Sequence, residues 1–117
     1  MTTLITRLSE AANNAPDDAG LYFINRKEEE SFYHWRDIES RAAKAAGRLK
    51  AAGVQPGSPV GIILPTSIEF FDAFFGAQLL GAIPVPLYPP VRLGKLEHYF
   101  ERTATMLKSI QASILIT

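Results

Sequence analysis

The sequence has 117 residues, of which 47% are hydrophobic, and this is enough for one domain with a single core. Lys and Arg number 12, as do Asp and Glu, so the net charge is zero and no overall field favours nucleic acid or an anionic membrane. The lack of cysteine excludes disulfides, thiolate zinc sites and cysteine nucleophiles, and it suits a cytoplasmic location.

The first part of the chain predicts a helix followed by a β-hairpin. Apolar residues recur at helical spacing within residues 1–15, and Pro16 ends the run, so we expect an amphipathic helix over residues 3–14. The aromatic-rich runs LYFIN and SFYHW flank the charged segment RKEEE. This pattern predicts a hairpin over residues 20–34 with a solvated turn, rather than a metal site built from the adjacent acids.

A change of period predicts a second helix over residues 35–52, with one apolar stripe that contains small residues. These small residues are expected to allow close approach to a sheet. His34 and Asp37 are predicted to form a capping box at the start of the helix, and Gly53 is predicted to end it. Asp37 is also expected to pair with Arg41, four residues later.

Residues 59–88 predict a βαβ unit. The almost wholly apolar residues 59–64 suit a strand buried on both faces, and Thr66 with Glu69 matches the capping box of a following helix. That helix is apolar on nearly all sides, so its phenylalanines are expected to pack in the core, with an acyl tunnel as the alternative. A second apolar run, residues 82–87, predicts a parallel strand reached by a right-handed crossover.

The last part of the chain predicts a helix over residues 93–110 and a third parallel strand over residues 112–117. Before that helix, four prolines crowd the segment from Pro84 to Pro90. Proline donates no backbone hydrogen bond, so the strand that contains Pro84 is expected to be an edge strand, or a strand end, that leads to a rigid loop.

The predicted fold class is therefore α/β, an incomplete parallel sheet with flanking helices plus an N-terminal helix and a β-hairpin. The apolar last strand leaves this sheet unfinished. Either the protein continues into a longer chain, or a partner covers that strand.

The sequence lacks the usual patterns of catalytic and metal sites. No phosphate-binding G-x-x-x-x-G-K-[ST] pattern occurs, and the prolines of PGSPVG remove donors that such a loop needs. His34 and His98 have no neighbours at the spacing of a metal set or a catalytic triad. The uncharged stretch 73–91 is long enough to cross a membrane, but its glycines and prolines argue against a span.

The order of these parts resembles the opening of the adenylate-forming (AMP-binding) superfamily, which includes acyl-CoA synthetases, peptide-synthetase adenylation domains and luciferases. The run PGSPVGIILPTSIEFFDAFFGAQLLGAIPVPLYP looks like its first βαβ unit. The segment from His34 to Ile38 stands in place of the more usual Thr-Tyr-x-Glu-Leu. Within the superfamily, VPLYPPVRLGKLEHYFERTATMLKSIQASILIT is most similar to fatty acyl-AMP ligases, in which Tyr-Pro-Pro precedes an arginine and a long helix.

The resemblance implies that residues 1–117 form a single N-terminal subdomain of a larger enzyme. Such an enzyme uses ATP and magnesium to activate a fatty acid as an acyl-adenylate, and it passes the acyl group to an acyl carrier protein. The family's phosphate loop, nucleotide contacts, magnesium glutamate and C-terminal lysine match no position in this chain. The chain is thus expected to hold no catalytic, cofactor or metal residue and to be inactive alone.

A candidate acceptor-side surface consists of Tyr88, Pro90 and Arg92, which follow the second strand of the βαβ unit. The alternative is that this segment is a rigid connection without ligand contact.

Two other functions remain open at this point. An acyl-CoA ligase of the same fold would use coenzyme A as the acceptor. A stand-alone, non-catalytic protein-binding module would pair its terminal strand with the edge of a partner. In the isolated chain, that strand is expected to cause self-association.

Overall fold

The computed structural model describes residues 3–87, 96–112 and 114–117. Its fold is α/β, as the sequence predicted, with a two-stranded hairpin and a three-stranded parallel sheet. The elements in chain order are α1 (Leu4–Asn14), β1 (Gly20–Ile24), β2 (Glu30–His34), α2 (Trp35–Ala51), β3 (Pro59–Ile62), α3 (Ile68–Leu79), β4 (Ile83–Pro86), α4 (Leu96–Ser109) and β5 (Ile114–Ile116).

The N-terminal helix and the hairpin lie together against α2 and α3. The side chain of Thr3 caps α1 by accepting a hydrogen bond from the N–H of Thr6, and Leu8 is buried on the inner face. Strands β1 and β2 are antiparallel, with the residue pairs running from Gly20–His34 to Ile24–Glu30. The turn between them is exposed, so the predicted solvated turn is confirmed.

Helix α2 begins at Trp35, as predicted, and ends at Ala51, one residue before the predicted end. His34 and Asp37 form the capping box, and Gly53 follows the helix with a φ of 97°. The predicted pair between Asp37 and Arg41 is wrong. Asp37 accepts a hydrogen bond from the N–H of His34 at 3.1 Å, whereas Arg41 binds Asp72 on α3. The tertiary contact prevails because it offers a bidentate partner at the helix interface.

The small residues of α2 approach a helix, not the predicted sheet. A Cβ atom built on Gly76 of α3 would lie 2.7 Å from the Cβ of Ala45 and 3.2 Å from the carbonyl oxygen of Ala42. The missing side chain of Gly76 therefore lets the backbones of α2 and α3 come close. The expectation failed because the pattern of small residues specifies a close neighbour but not its type.

Helix α3 begins one residue later than the capping pattern indicated. Its N-cap is Ser67, whose hydroxyl accepts a hydrogen bond from the N–H of Phe70 at 3.2 Å. The predicted cap, Thr66, is wrong because Ser67 has the extended backbone of a cap and lies directly before the first helical residue. At the other end, Gly81 has a φ of 81° and stops the helix.

The parallel sheet has the strand order β4-β3-β5, and both predicted parallel pairings are confirmed. The central strand is buried on both faces, as expected. Val60 and Ile62 point toward α3 and are fully buried. Gly61 points to the opposite face, where an added Cβ would lie 2.7 Å from Leu107 of α4. The sheet is therefore sandwiched between α3 on one side and α4 on the other.

Candidate functional site

The predicted acceptor-side residues Tyr88, Pro90 and Arg92 lie outside the described residues. Their role therefore stays a prediction. Of the predicted α4 range, residues 93–95 lie outside the described part as well, and so does residue 113 before β5.

A cavity of about 930 Å³ lies between the end of β4 and α4. The residues that line it come before and after the segment 88–95. Its wall includes Pro86 and Leu87 from the strand end and His98, Arg102 and Met106 from the helix. The carboxyl ends of parallel strands are the usual position of ligand sites in open α/β sheets. The geometry thus makes this end of β4 the first region to test for a functional contact.

A second cavity, of about 340 Å³, lies at the carboxyl ends of β3 and β5. It is lined by Leu64 and Ile116 at the strand ends, by Arg48 of α2 and by Glu69 of α3. Strands β4 and β5 lie on opposite sides of β3, so the chain reverses its direction across the sheet after β4.

His34 serves the fold rather than a catalytic site. The side chain is buried, its Nδ1 accepts a hydrogen bond from the N–H of Arg36 at 2.9 Å, and its Nε2 lies 3.0 Å from the carbonyl oxygen of Pro16. Both ring nitrogens therefore have backbone partners. The interpretation of His34 as a helix cap is confirmed.

Arg41 and Asp72 form a bidentate ion pair that joins α2 to α3. The Nε–Oδ1 and Nη2–Oδ2 distances are both 2.8 Å, and the guanidinium lies 5.6 Å from the ring centroid of Tyr33. Hydrogen bonding to Asp72 raises the pKa of the Arg41 guanidinium above its ordinary value, which outweighs the opposing effect of partial burial. The pair fixes the helix interface and leaves neither charge free for a ligand.

The phenylalanines of α3 pack with one another and with the hairpin. Phe70 and Phe74 are stacked at 5.7 Å between ring centroids, and Phe71 meets Phe23 of β1 edge to face at 5.7 Å. Phe75 is buried against Leu8, Ile38 and Ala42. The interpretation of this helix as core is confirmed.

Within residues 3–87, 96–112 and 114–117, no three histidine or carboxylate side chains come close enough to hold a metal ion. The described segments also include no helix with the length and apolar character required to cross a membrane.

Comparison with known proteins gives the class to which this fold belongs. A family model of AMP-binding enzymes matches residues 8–117, and the chain therefore belongs to the AMP-binding enzyme family. One relative is the salicyl-AMP ligase / salicyl-S-ArCP synthetase of Mycobacterium tuberculosis, which is 33% identical over 97 residues. The match covers 83% of this chain and 17% of that enzyme. The phosphinothricin tripeptide synthetase PhsC of Streptomyces viridochromogenes is 30% identical over 112 residues, which are 96% of this chain and 10% of that protein.

Solved structures of adenylate-forming enzymes share the fold of this chain. A structure from work on fatty acyl-adenylate ligases of E. coli and L. pneumophila superposes with a TM-score of 0.88 and 30% identity, covering 98% of this chain and 20% of that one. The N-terminal subdomain of Klebsiella oxytoca NpsA has the same fold, with a TM-score of 0.79 and 20% identity over the whole of this chain and 28% of its own. The chain is thus the N-terminal portion of the adenylate-forming fold and spans about a fifth of the fatty acyl-adenylate ligase.

Proposed function

We propose that the whole protein is an ATP-dependent enzyme that activates a fatty acid as an acyl-adenylate and transfers the acyl group to an acyl carrier protein. The observation that carries this proposal is the similarity to a fatty acyl-adenylate ligase over 98% of the chain. The Tyr-Pro-Pro run before an arginine, at residues 88–92, supports the same choice.

In the proposed reaction, an oxygen of the fatty acid carboxylate attacks the α-phosphorus of ATP. The bond from the α-phosphorus to the bridging oxygen breaks, and pyrophosphate leaves. A thiol of the carrier protein then attacks the acyl carbon, and AMP is released. ATP with Mg²⁺ supplies the adenylyl group when bound.

The described residues do not fit a site for ATP and magnesium. The chain has no phosphate-loop pattern, and its described side chains form no metal-binding group. We therefore assign the nucleotide site to the remainder of the enzyme. The proposed role of residues 1–117, as one subdomain, is to supply the helices and strands against which the nucleotide-binding portion packs.

An acyl-CoA ligase is the second candidate. 4-Coumarate–CoA ligase 2 of Nicotiana tabacum is 41% identical over 66 residues, which are 54% of this chain and 12% of that enzyme. Such an enzyme would form the same acyl-adenylate and would differ in its acceptor. An experiment must therefore identify the molecule that accepts the acyl group.

The test begins with the intact mass of the natural gene product, because both candidates require a polypeptide much longer than 117 residues. The purified whole protein is then incubated with ATP, Mg²⁺ and a fatty acid, and the acyl-adenylate is detected by mass spectrometry. Addition of a carrier protein or of coenzyme A identifies the acceptor. We expect transfer to the carrier and no activity from the 117-residue chain alone. A product that ends near Thr117 would instead support a non-catalytic binding module.

The acceptor-side hypothesis has its own test in the whole enzyme. We expect Tyr88→Ala and Arg92→Ala to slow transfer to the carrier and to leave formation of the acyl-adenylate intact. Arg26→Ala, in the exposed hairpin turn, is the matched control for loss of a surface cation. Unchanged transfer in both test variants would mean that this segment is only a rigid connection.

A further inference from the structure

The ring of His34 joins the start of α2 to the turn that follows α1. Its Nδ1 accepts a hydrogen bond from the N–H of Arg36 at 2.9 Å, and its Nε2 lies 3.0 Å from the carbonyl oxygen of Pro16. A carbonyl oxygen can only accept a hydrogen bond, so Nε2 must carry a proton. Nδ1 can accept the N–H of Arg36 only if it carries none. The two contacts together therefore require the neutral ring, with its proton on Nε2.

Protonation of the ring removes only one of these two contacts. Nε2 carries a proton in both the neutral and the cationic ring, so its hydrogen bond to Pro16 survives. Nδ1, however, would gain a proton that points at the N–H of Arg36, and the two nitrogen atoms are only 2.9 Å apart. The side chain of His34 is 6% exposed, so the ring has little access to water as a substitute partner. Proton uptake at Nδ1 is thus incompatible with the cap of α2.

The charges nearest to the ring act in both directions. His34 stands at the N-terminus of α2, where the helix dipole disfavours a positive charge. The carboxylate of Asp37 favours one, but it already accepts the backbone N–H of His34. On the turn after α1, Asp17 is paired with Arg36 at 3.0 Å, and Asp18 is exposed. No acid in the described part of the chain forms a hydrogen bond with the ring itself, because both ring nitrogens bind the backbone.

The charged side chains of the elements around the ring have partners of their own or lie away from it. They are Arg7 with Glu10 on α1, Arg41 of α2 with Asp72 of α3, and Glu30 at the far end of β2. Strand β1 carries no charged residue. The state of the His34 ring is therefore set mainly by its two backbone contacts and by the start of the helix.

We propose that His34 is an acid-sensitive cap, so that proton uptake at Nδ1 releases the first turn of α2 between about pH 7.5 and about pH 5.5. The bond to Pro16 keeps the ring on the turn after α1 while this happens. Strand β2 ends and α2 begins at His34, so loss of the cap loosens the junction between the hairpin and the helix. The inference goes beyond the proposed function and does not depend on it.

The backbone amide of Arg36 reports on this cap directly. Arg36 is the second residue of α2, so its N–H has no acceptor within the helix. Hydrogen exchange in the whole protein, resolved by NMR or by fragmentation in the mass spectrometer, gives its protection factor. This factor is the exchange rate of a free amide at the same pH divided by the measured rate. If only the uncapped form takes up a proton, with the titration of a free histidine near about pH 6.5, we expect the protection factor to fall about 10-fold from about pH 7.5 to about pH 5.5.

Two variants separate the cap from other effects of pH. His34→Asn keeps a side-chain acceptor for the N–H of Arg36 but does not titrate, so its protection factor is expected to change by less than about 2-fold. His98→Asn removes the other histidine of the chain, which is exposed on α4, and is expected to keep the full change. Nitrogen-15 NMR of the imidazole in the unmodified protein needs no variant. At about pH 7.5 it should show a protonated Nε2 and an unprotonated Nδ1.

Three results would overturn the proposal. They are a proton on Nδ1 at neutral pH, a protection factor of Arg36 that does not change with pH in the unmodified protein, and an equal change in the His34→Asn variant. The last result would assign the effect to a group other than His34, such as the carboxylate of Asp17 or Asp37.

Discussion

Gly76 is the residue on which the close contact between α2 and α3 depends. A methyl group at this position would lie 2.7 Å from the Cβ of Ala45, 3.1 Å from the backbone nitrogen of Ala46 and 3.2 Å from the carbonyl oxygen of Ala42. None of these atoms can move by a side-chain rotation. Gly76→Ala must therefore push the two helices apart.

The size of the effect follows from two opposing contributions. Alanine is favoured over glycine in a helix interior by about 1 kcal/mol, whereas overpacking a close interface costs about 1–3 kcal/mol. Gly47 provides the matched control, because it lies within α2 with no atom within 4 Å of an added Cβ. We expect Gly47→Ala to stabilise the fold by about 1 kcal/mol. Gly76→Ala should then be less stable than Gly47→Ala by about 1–3 kcal/mol.

Urea unfolding followed by the fluorescence of Trp35, the only tryptophan of the chain, measures both changes. The side chain of Trp35 packs against the core cluster that contains Ile38 and Phe75, so its emission reports on this part of the fold. Equal stability of the Gly76→Ala and Gly47→Ala variants would refute the reasoning, because the helix propensity would then be the only contribution. It would mean that the interface has room for a methyl group.

Two further predictions concern contacts that the sequence misassigned. A double-mutant cycle of Arg41→Ala and Asp72→Ala in urea unfolding is expected to give a coupling free energy of about 1 kcal/mol, since the pair is bidentate but partly exposed. A coupling free energy near zero would mean that solvent screens the ion pair fully. Ser67→Ala should lower the free energy of unfolding by about 1 kcal/mol through loss of the cap on α3, and Thr66→Ala is the near-neutral control. If thermal unfolding showed Thr66→Ala to be the more destabilising variant, Thr66 would be the cap.

Large apolar residues remain exposed on both the hairpin and α4. Tyr22 and Phe32 pack on the outer face of the hairpin with ring centroids 4.7 Å apart and ring planes tilted by 37°, and both remain exposed. Met106 and Phe100 are exposed on α4, near the C-terminal end of the chain. Surfaces of this kind are typical of contact regions. Their positions agree with the proposed role of the chain as a subdomain on which the rest of an enzyme packs.

The sequence by itself determined the kinds of element and most of their ends, although not the start of α3, because these depend on neighbours within a few residues. The change from alternating to helical periodicity located the hairpin and α2, and the capping box at His34 and the glycines at positions 53 and 81 set the helix ends. Short connections through a helix also made the strands parallel. The order of these parts indicated the AMP-binding family, which the comparison confirmed.

Only the tertiary structure decided which distant residues meet. Arg41 had a plausible partner four residues away, but its bidentate partner lies 31 residues along the chain. The prolines of β4 already indicated an edge strand, but only the pairing register revealed that residues 84 and 86 both face outward. Local patterns specify the faces of each element, whereas the partner of each face depends on how the whole chain packs.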